Sequence, residues 1–299
     1  MTLEPSTIAF LTAATRVVAY TASTLIVGVA VFDAAVLGRA SLRETDRDTA
    51  RSRARTFGQI AAIGLLFAYA ARLYIQVIDS YLVAVPTVLM LNQLFFLTRA
   101  WGHGVLGQLI ISGALVVFFF YVRRGTPPAA LLWIAASLAA LSVPLTGHAA
   151  SHGGPAALAV QSAHVFAAGS WLGTLAVLWL VCRNAVDTAS LVSIISAFSP
   201  VALTSAPAIA VAGIAAFFIH VGAPRALIST GYGAVLLVKI ALFVTAAGVG
   251  YVNWRHVTPD LARGGSRGQF TRAAALEIAL GVMAVLATAL LTSLPQPGE

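Results

Sequence analysis

Eight apolar runs follow one another along this chain, at 8–38, 57–79, 102–122, 128–147, 157–182, 191–220, 232–254 and 273–294. A membrane-spanning helix needs about 20 mainly apolar residues, and the runs meet or approach that length. Charged residues make up only 9% of the 299, against about 25% in ordinary soluble domains. So few charges cannot cover a water-soluble surface of this size, whereas lipid removes the requirement. The expected fold is therefore all-α: a polytopic membrane helix bundle of about eight transmembrane helices, with membrane lipid as its first partner. The first and sixth runs exceed the bilayer and can tilt within it. No large soluble domain is expected. The connection at 80–101 contains the apolar stretch VPTVLMLNQLFFLT (85–98), which predicts an interfacial or re-entrant helix.

The loop cations orient the bundle. Arg39, Arg43, Arg47, Arg51, Arg53, Arg55, Arg123, Arg124, Arg183, Arg255, Arg263, Arg267 and Arg272 fall on one side, and only Arg99 and Arg225 on the other. By the positive-inside rule the Arg-rich side is cytoplasmic. Both termini then face outward, which in a bacterium means the periplasm or cell exterior. The net charge of +8 is thus a topology signal, and no nucleic-acid binding is expected. Residues 1–10 carry no Lys or Arg, so a retained first helix is expected rather than a cleaved signal peptide. The single cysteine, Cys182, excludes an internal disulfide and any CxxC motif.

Five of the six histidines lie toward the outer side: His103, His148, His152, His164 and His220; His256 is cytoplasmic. His164 sits about two turns inside an apolar helix, where an ionisable group is costly and functional by default. The densest cluster is Gly147-His148-Ala149-Ala150-Ser151-His152-Gly153-Gly154-Pro155. As a helix it sets His148 and His152 on one face at i,i+4 spacing, able to chelate one metal. As a turn ended by Gly-Gly-Pro it can still bring the rings together, or leave two solvated interfacial histidines. Imidazole suits copper, zinc, iron and nickel alike. Beyond Met1 only Met90 and Met283 are present, so copper would rest on imidazole, with help from a carboxylate such as Asp79.

Arg16, Arg72 and Lys239 lie within helices, in the outer half of the membrane on this topology. They either snorkel to headgroups or form a ring of positive potential suited to an anion, such as haem propionates or a quinone oxygen. Asp33 and Glu277 lie toward the cytoplasmic end. They form an inner relay or pair with loop arginines, and pairing is the favoured expectation. No nucleophile–base–acid set, Walker motif or dinucleotide glycine pattern is present, so no enzyme is expected.

Several segments resemble the copper resistance protein D (CopD/PcoD) family. They are Ser229-Thr230-Gly231-Tyr232-Gly233, Leu236-Leu237-Val238-Lys239, Asn253-Trp254-Arg255 with Pro259, and Arg272 with Glu277. The middle of the chain adds Gly147-His148-Ala149 and the stretch Ala163-His164-Val165-Phe166-Ala167-Ala168-Gly169-Ser170-Trp171-Leu172-Gly173; Arg16 before Gly28, and Trp101-Gly102, also fit. The resemblance implies one transmembrane domain over 1–299, with an N-terminal half 1–185 holding the outer His cluster and a C-terminal half 186–299 with the most family-like segment. It implies a bacterial inner-membrane protein that handles copper together with a periplasmic CopC-like carrier, and it matches Lys239, His148 and His164 to characteristic positions.

Three functions follow as expectations. The first is copper transport or uptake through an outer histidine site. The second is a membrane cytochrome holding haem b between His164 and His103 or His220, with Arg16, Arg72 and Lys239 on the propionates. The third is a non-transporting subunit of a membrane complex.

Overall fold

The computed structural model describes residues 4–81, 87–90, 92, 99–123, 125–146, 154–182, 187–222 and 224–294, with the side chains of 99–102 and 220 left aside. Among them every regular element is helical. Helix α1 (Pro5–Val31) runs on into a π-helical turn, Phe32–Val36. Then come α2 (Glu44–Tyr81), α3 (Arg99–Val122) and α4 (Ala129–Ser142), the last tightening into a 3₁₀ turn at Val143–Leu145. Helix α5 (Gly154–Ala168) passes through a π turn at Gly169–Gly173 into α6 (Thr174–Cys182). Helices α7 (Thr188–His220), α8 (Ala226–Ser229) and α9 (Gly231–Val252) follow; a π turn at Asn253–Val257 then leads into α10 (Thr258–Ala262), and α11 (Arg267–Leu291) completes the order.

Seven helical stretches are long and apolar enough to cross a membrane: Pro5–Val36, Glu44–Tyr81, His103–Val122, Gly154–Cys182, Thr188–Ile219, Gly231–Ala262 and Arg267–Leu291. The eighth expected run is the shorter apolar helix Ala129–Leu145. Pro128 precedes its first turn, and Pro144 sits in the 3₁₀ turn before Thr146 becomes extended. Its length is about 27 Å from the helical rises, close to the ~30 Å hydrocarbon core. Most of the interfacial helix expected over 85–98 lies outside the described residues; residues 88–90 are helical.

Helix α1 is the centre of the bundle. Ile26, Val27, Val29, Ala30 and Phe32 are completely buried, and α1 packs against α2, α4, the Gly169–Gly173 turn, α6 and α11. Outer faces carry Phe67, Val117, Val211 and Val244, all well exposed. On a soluble protein such surface would be a liability; in a bilayer it faces acyl chains.

The crossing of α1 with the Gly169–Gly173 turn fixes this arrangement. A Cβ on Gly28 would collide with the backbone of Gly173, and one on Gly173 with the Thr24 carbonyl oxygen; one on Gly169 would come within 2.5 Å of the Val27 Cβ. This is small-residue packing of the Gly-x-x-x-Gly kind, where backbones touch and dispersion holds helices together in lipid.

The arginine-rich end of the bundle is held by ion pairs and carbonyl contacts. Arg55 donates through Nε and Nη2 to Asp33 Oδ2, at 2.9 and 2.7 Å, and Arg51 Nε donates to Asp33 Oδ1 at 2.8 Å. The Asp33 side chain is only 3% exposed. Arg55 Nη1 also donates to the Val122 carbonyl at 2.7 Å, Arg47 to Ala40 at 3.0 Å and Arg267 to Cys182 at 2.7 Å. These arginines, expected in loops, stand instead in the first turns of α2 and α11, where they reach the last carbonyls of α3 and α6, ends that favour positive charge, and the turn after Val36. Across the same surface Asp187 caps α7 by accepting from the Ser190 N–H at 2.7 Å, and that bond holds its carboxyl below the usual range.

Two outcomes are expected. Gly173→Val should destabilise the detergent-solubilised protein by on the order of 1–3 kcal/mol or more, the usual cost of overpacking. Asp33→Ala should cost about 3–5 kcal/mol, because it strands two arginines at a buried site. Thermal unfolding followed by circular dichroism checks both.

Candidate functional site

The end of the bundle opposite the arginines is built around Gln108. This side chain, 1% exposed, donates to the Ser142 carbonyl at 2.9 Å and to Thr146 Oγ1 at 3.0 Å. One turn earlier, Gly104 lies so close to the Leu145 carbonyl that any Cβ would collide with it. The start of α3, where His103 is exposed, is thereby pinned beside the residues that lead into the His148 segment. His148 and His152 themselves lie outside the described residues. His220 is the last residue of α7. Asp79 is exposed on the last turns of α2.

His164 lies deeper. Its ring rests over Gly213 of α7, with Cε1 3.6 Å and Nδ1 3.8 Å from where a Cβ would stand. Nδ1 is buried and has no hydrogen-bond partner. The Ile209 backbone is a further neighbour of this ring, and the Lys239 charge acts on it. The three embedded cations thus fall into two groupings. Lys239 stands by His164, while Arg16 and Arg72 stand near each other with Tyr20 and Tyr69 around them. Tyr69 is tied to Ser142 by a 2.8 Å hydroxyl contact. Among the described residues neither Arg16 nor Arg72 forms an ion pair, and no three His, Cys, Asp or Glu side chains cluster as a metal site.

Toward the arginine-rich end the two acids part company. Asp33 pairs with arginines, as expected. Glu277 does not: Trp171 Nε1 donates to its Oε1 at 2.8 Å, with Asn253 on its other side. Glu277 Oε1 lies 3.1 Å from where a Gly250 Cβ would stand, so glycine leaves room for the carboxyl between α9 and α11. The π turns place both partners, since one extra residue per turn swings Trp171 and Asn253 inward. Neither residue was singled out from the sequence as a polar partner, although both stand in segments of the family resemblance. An Asn and a Trp flanked by glycines inside apolar runs were the available signal.

The comparisons with known proteins bear on this geometry. Residues 7–159 match the family model "Copper resistance protein D-like, N-terminal domain", and residues 192–291 match "Copper resistance protein D". The chain belongs to the copper resistance protein D family. Within it, the copper resistance protein D of Pseudomonas syringae pv. tomato is 28% identical over 284 residues, covering 88% of this chain and 87% of that protein. The copper transport protein CutJ of Bacillus subtilis (strain 168) is 30% identical over 163 residues, which cover 53% of this chain and 29% of that larger protein. No solved structure matches. Membership makes this a multi-pass membrane protein of copper handling. Lys239 and Glu277 lie within the second matched segment, while His164 and Trp171 fall between the two.

The Trp171–Glu277 bond is testable by itself. Trp171→Phe keeps the edge-to-face contact with Phe243, whose centroid is 6.1 Å away, but removes the donor. A loss of about 1–3 kcal/mol is expected for a buried carboxyl deprived of its partner. Glu277→Gln in the same background should add little. Denaturant unfolding of the four proteins measures the coupling.

Proposed function

We propose that this copper resistance protein D family member carries copper across a bacterial inner membrane. Copper arrives from a periplasmic CopC-like donor at an outer histidine site made by His148 and His152, with His103 and His220 at its edge and Asp79 as a carboxylate in reserve. It then steps inward to His164. Both termini are on the periplasmic side. The chain is a non-enzymatic carrier, and copper is its cargo.

The unpartnered, buried Nδ1 of His164 is the observation that carries this reading. A buried imidazole nitrogen without a good partner inside an apolar bundle is costly unless something uses it, and neutral imidazole is a donor suited to copper. Lys239 beside it opposes a cation that stays. That suits a transit position, since conduction requires sites weak enough to leave. Arg16 and Arg72, with their tyrosines, form a separate positive patch that would hold an anion accompanying the cargo at the mouth.

The test is copper accumulation by cells and by proteoliposomes. His148→Ala with His164→Ala should reduce uptake about tenfold or more and lower copper-dependent growth, while Lys239→Met should raise copper retained per protein and slow its release. Unchanged uptake in the double variant would sink the proposal. Absorption spectra after haem-replete expression should lack a Soret band; a stoichiometric one would instead favour the haem b reading, with His164 as an axial ligand.

A further inference from the structure

A cleft of about 250 Å³ opens in the cytoplasmic half, between α7 and α9. Its walls are apolar, with Ile195, Phe198 and Ala247 among them, and its polar end is made by Glu277, Asn253 and Thr258. Glu277 is 2% exposed and Asn253 7%. Among the described residues no Lys, Arg or His forms an ion pair with Glu277. The nearest charged groups along the π turn, Arg255 and His256, are exposed, and Tyr251 is the one other titratable side chain on the walls. A carboxylate so placed is strongly disfavoured unless a positive charge comes to it. Beside it, Asn253 Oδ1 and Thr258 Oγ1 are both buried without a hydrogen-bond partner.

We propose that Glu277, Asn253 and Thr258 form an exchangeable site for one hard monovalent cation, a proton or an alkali ion, whose entry neutralises Glu277. The donor set is all oxygen apart from the Trp171 N–H. Oxygen donors suit hard cations, whereas soft Cu(I) selects sulfur and, among nitrogens, imidazole. The site is therefore distinct from the histidine path. In a carrier it would supply a second ion whose gradient can drive the cycle. The cleft between α7 and α9 gives that ion a way in, and the hydrogen bond from Trp171 holds Oε1 of the carboxyl in place while Asn253 stands by the same group. The site stands whether or not His164 carries copper.

The experiment is infrared difference spectroscopy on the full-length, copper-free protein in detergent. In sodium-free buffer, raising the pH should bleach a protonated-carboxyl stretch that is missing from Glu277→Gln and displaced in Asn253→Ala. At fixed pH, adding sodium bleaches the same band if the ion is an alkali cation, and leaves it unchanged if the ion is a proton alone. A wild-type spectrum with no Glu277-dependent band that responds to pH or sodium would overturn the site. So would a band that persists unchanged in Asn253→Ala. The reading needs no copper, so its failure is separate from failure of the uptake test.

Discussion

Backbone contact between α1 and the Gly169–Gly173 turn is the constraint on which the rest of the structure depends. Lipid gives helices no hydrophobic reason to associate, so close dispersion contact must hold them. Gly28, Gly169 and Gly173 permit that approach because any side chain would occupy the same space as the opposing backbone. With α1 seated there, the π turn must present Trp171 to the far side, where Glu277 of α11 accepts its N–H. One crossing thereby joins the part of the chain that carries His103 and His164 to the part that carries the buried acid.

The polar groups form two levels. At the level away from the arginines Gln108 ties α3 to the end of α4, while the Lys239 charge acts on His164 deeper in the bundle. At the inner level Asp33 is fully matched by Arg51 and Arg55, and Glu277 is matched by neutral donors alone. The contrast is physical. A carboxylate with two guanidinium partners is a structural clamp, while a buried carboxyl beside a Trp and an Asn has no such charge partner among the described residues.

Much of the fold was legible because hydrophobicity and arginine placement are long-range constraints written residue by residue. Seven spans and the short Ala129–Leu145 helix follow from apolar runs alone. The arginine side was read for topology, but its second role, capping the carbonyls of Ala40, Val122 and Cys182, depends on which helix ends meet. The π turns were not legible. An inserted residue in a continuous apolar helix leaves no mark in composition or spacing, so Trp171 and Asn253 were seen only as parts of a family pattern. The pairing expected of both acids held for Asp33, which α2 faces with two arginines. It failed for Glu277, because the loop arginines near it in sequence end up exposed or turned to other partners.

The central claim is that copper rides on imidazole inside this bundle. X-ray absorption at the copper edge, on purified protein loaded with one equivalent of copper, tests it most directly. The account predicts outer-shell imidazole scattering that falls when His164 is replaced by alanine and falls further when His148 is replaced as well. Copper bound with the same spectrum in all three proteins, or bound through oxygen alone, would contradict it.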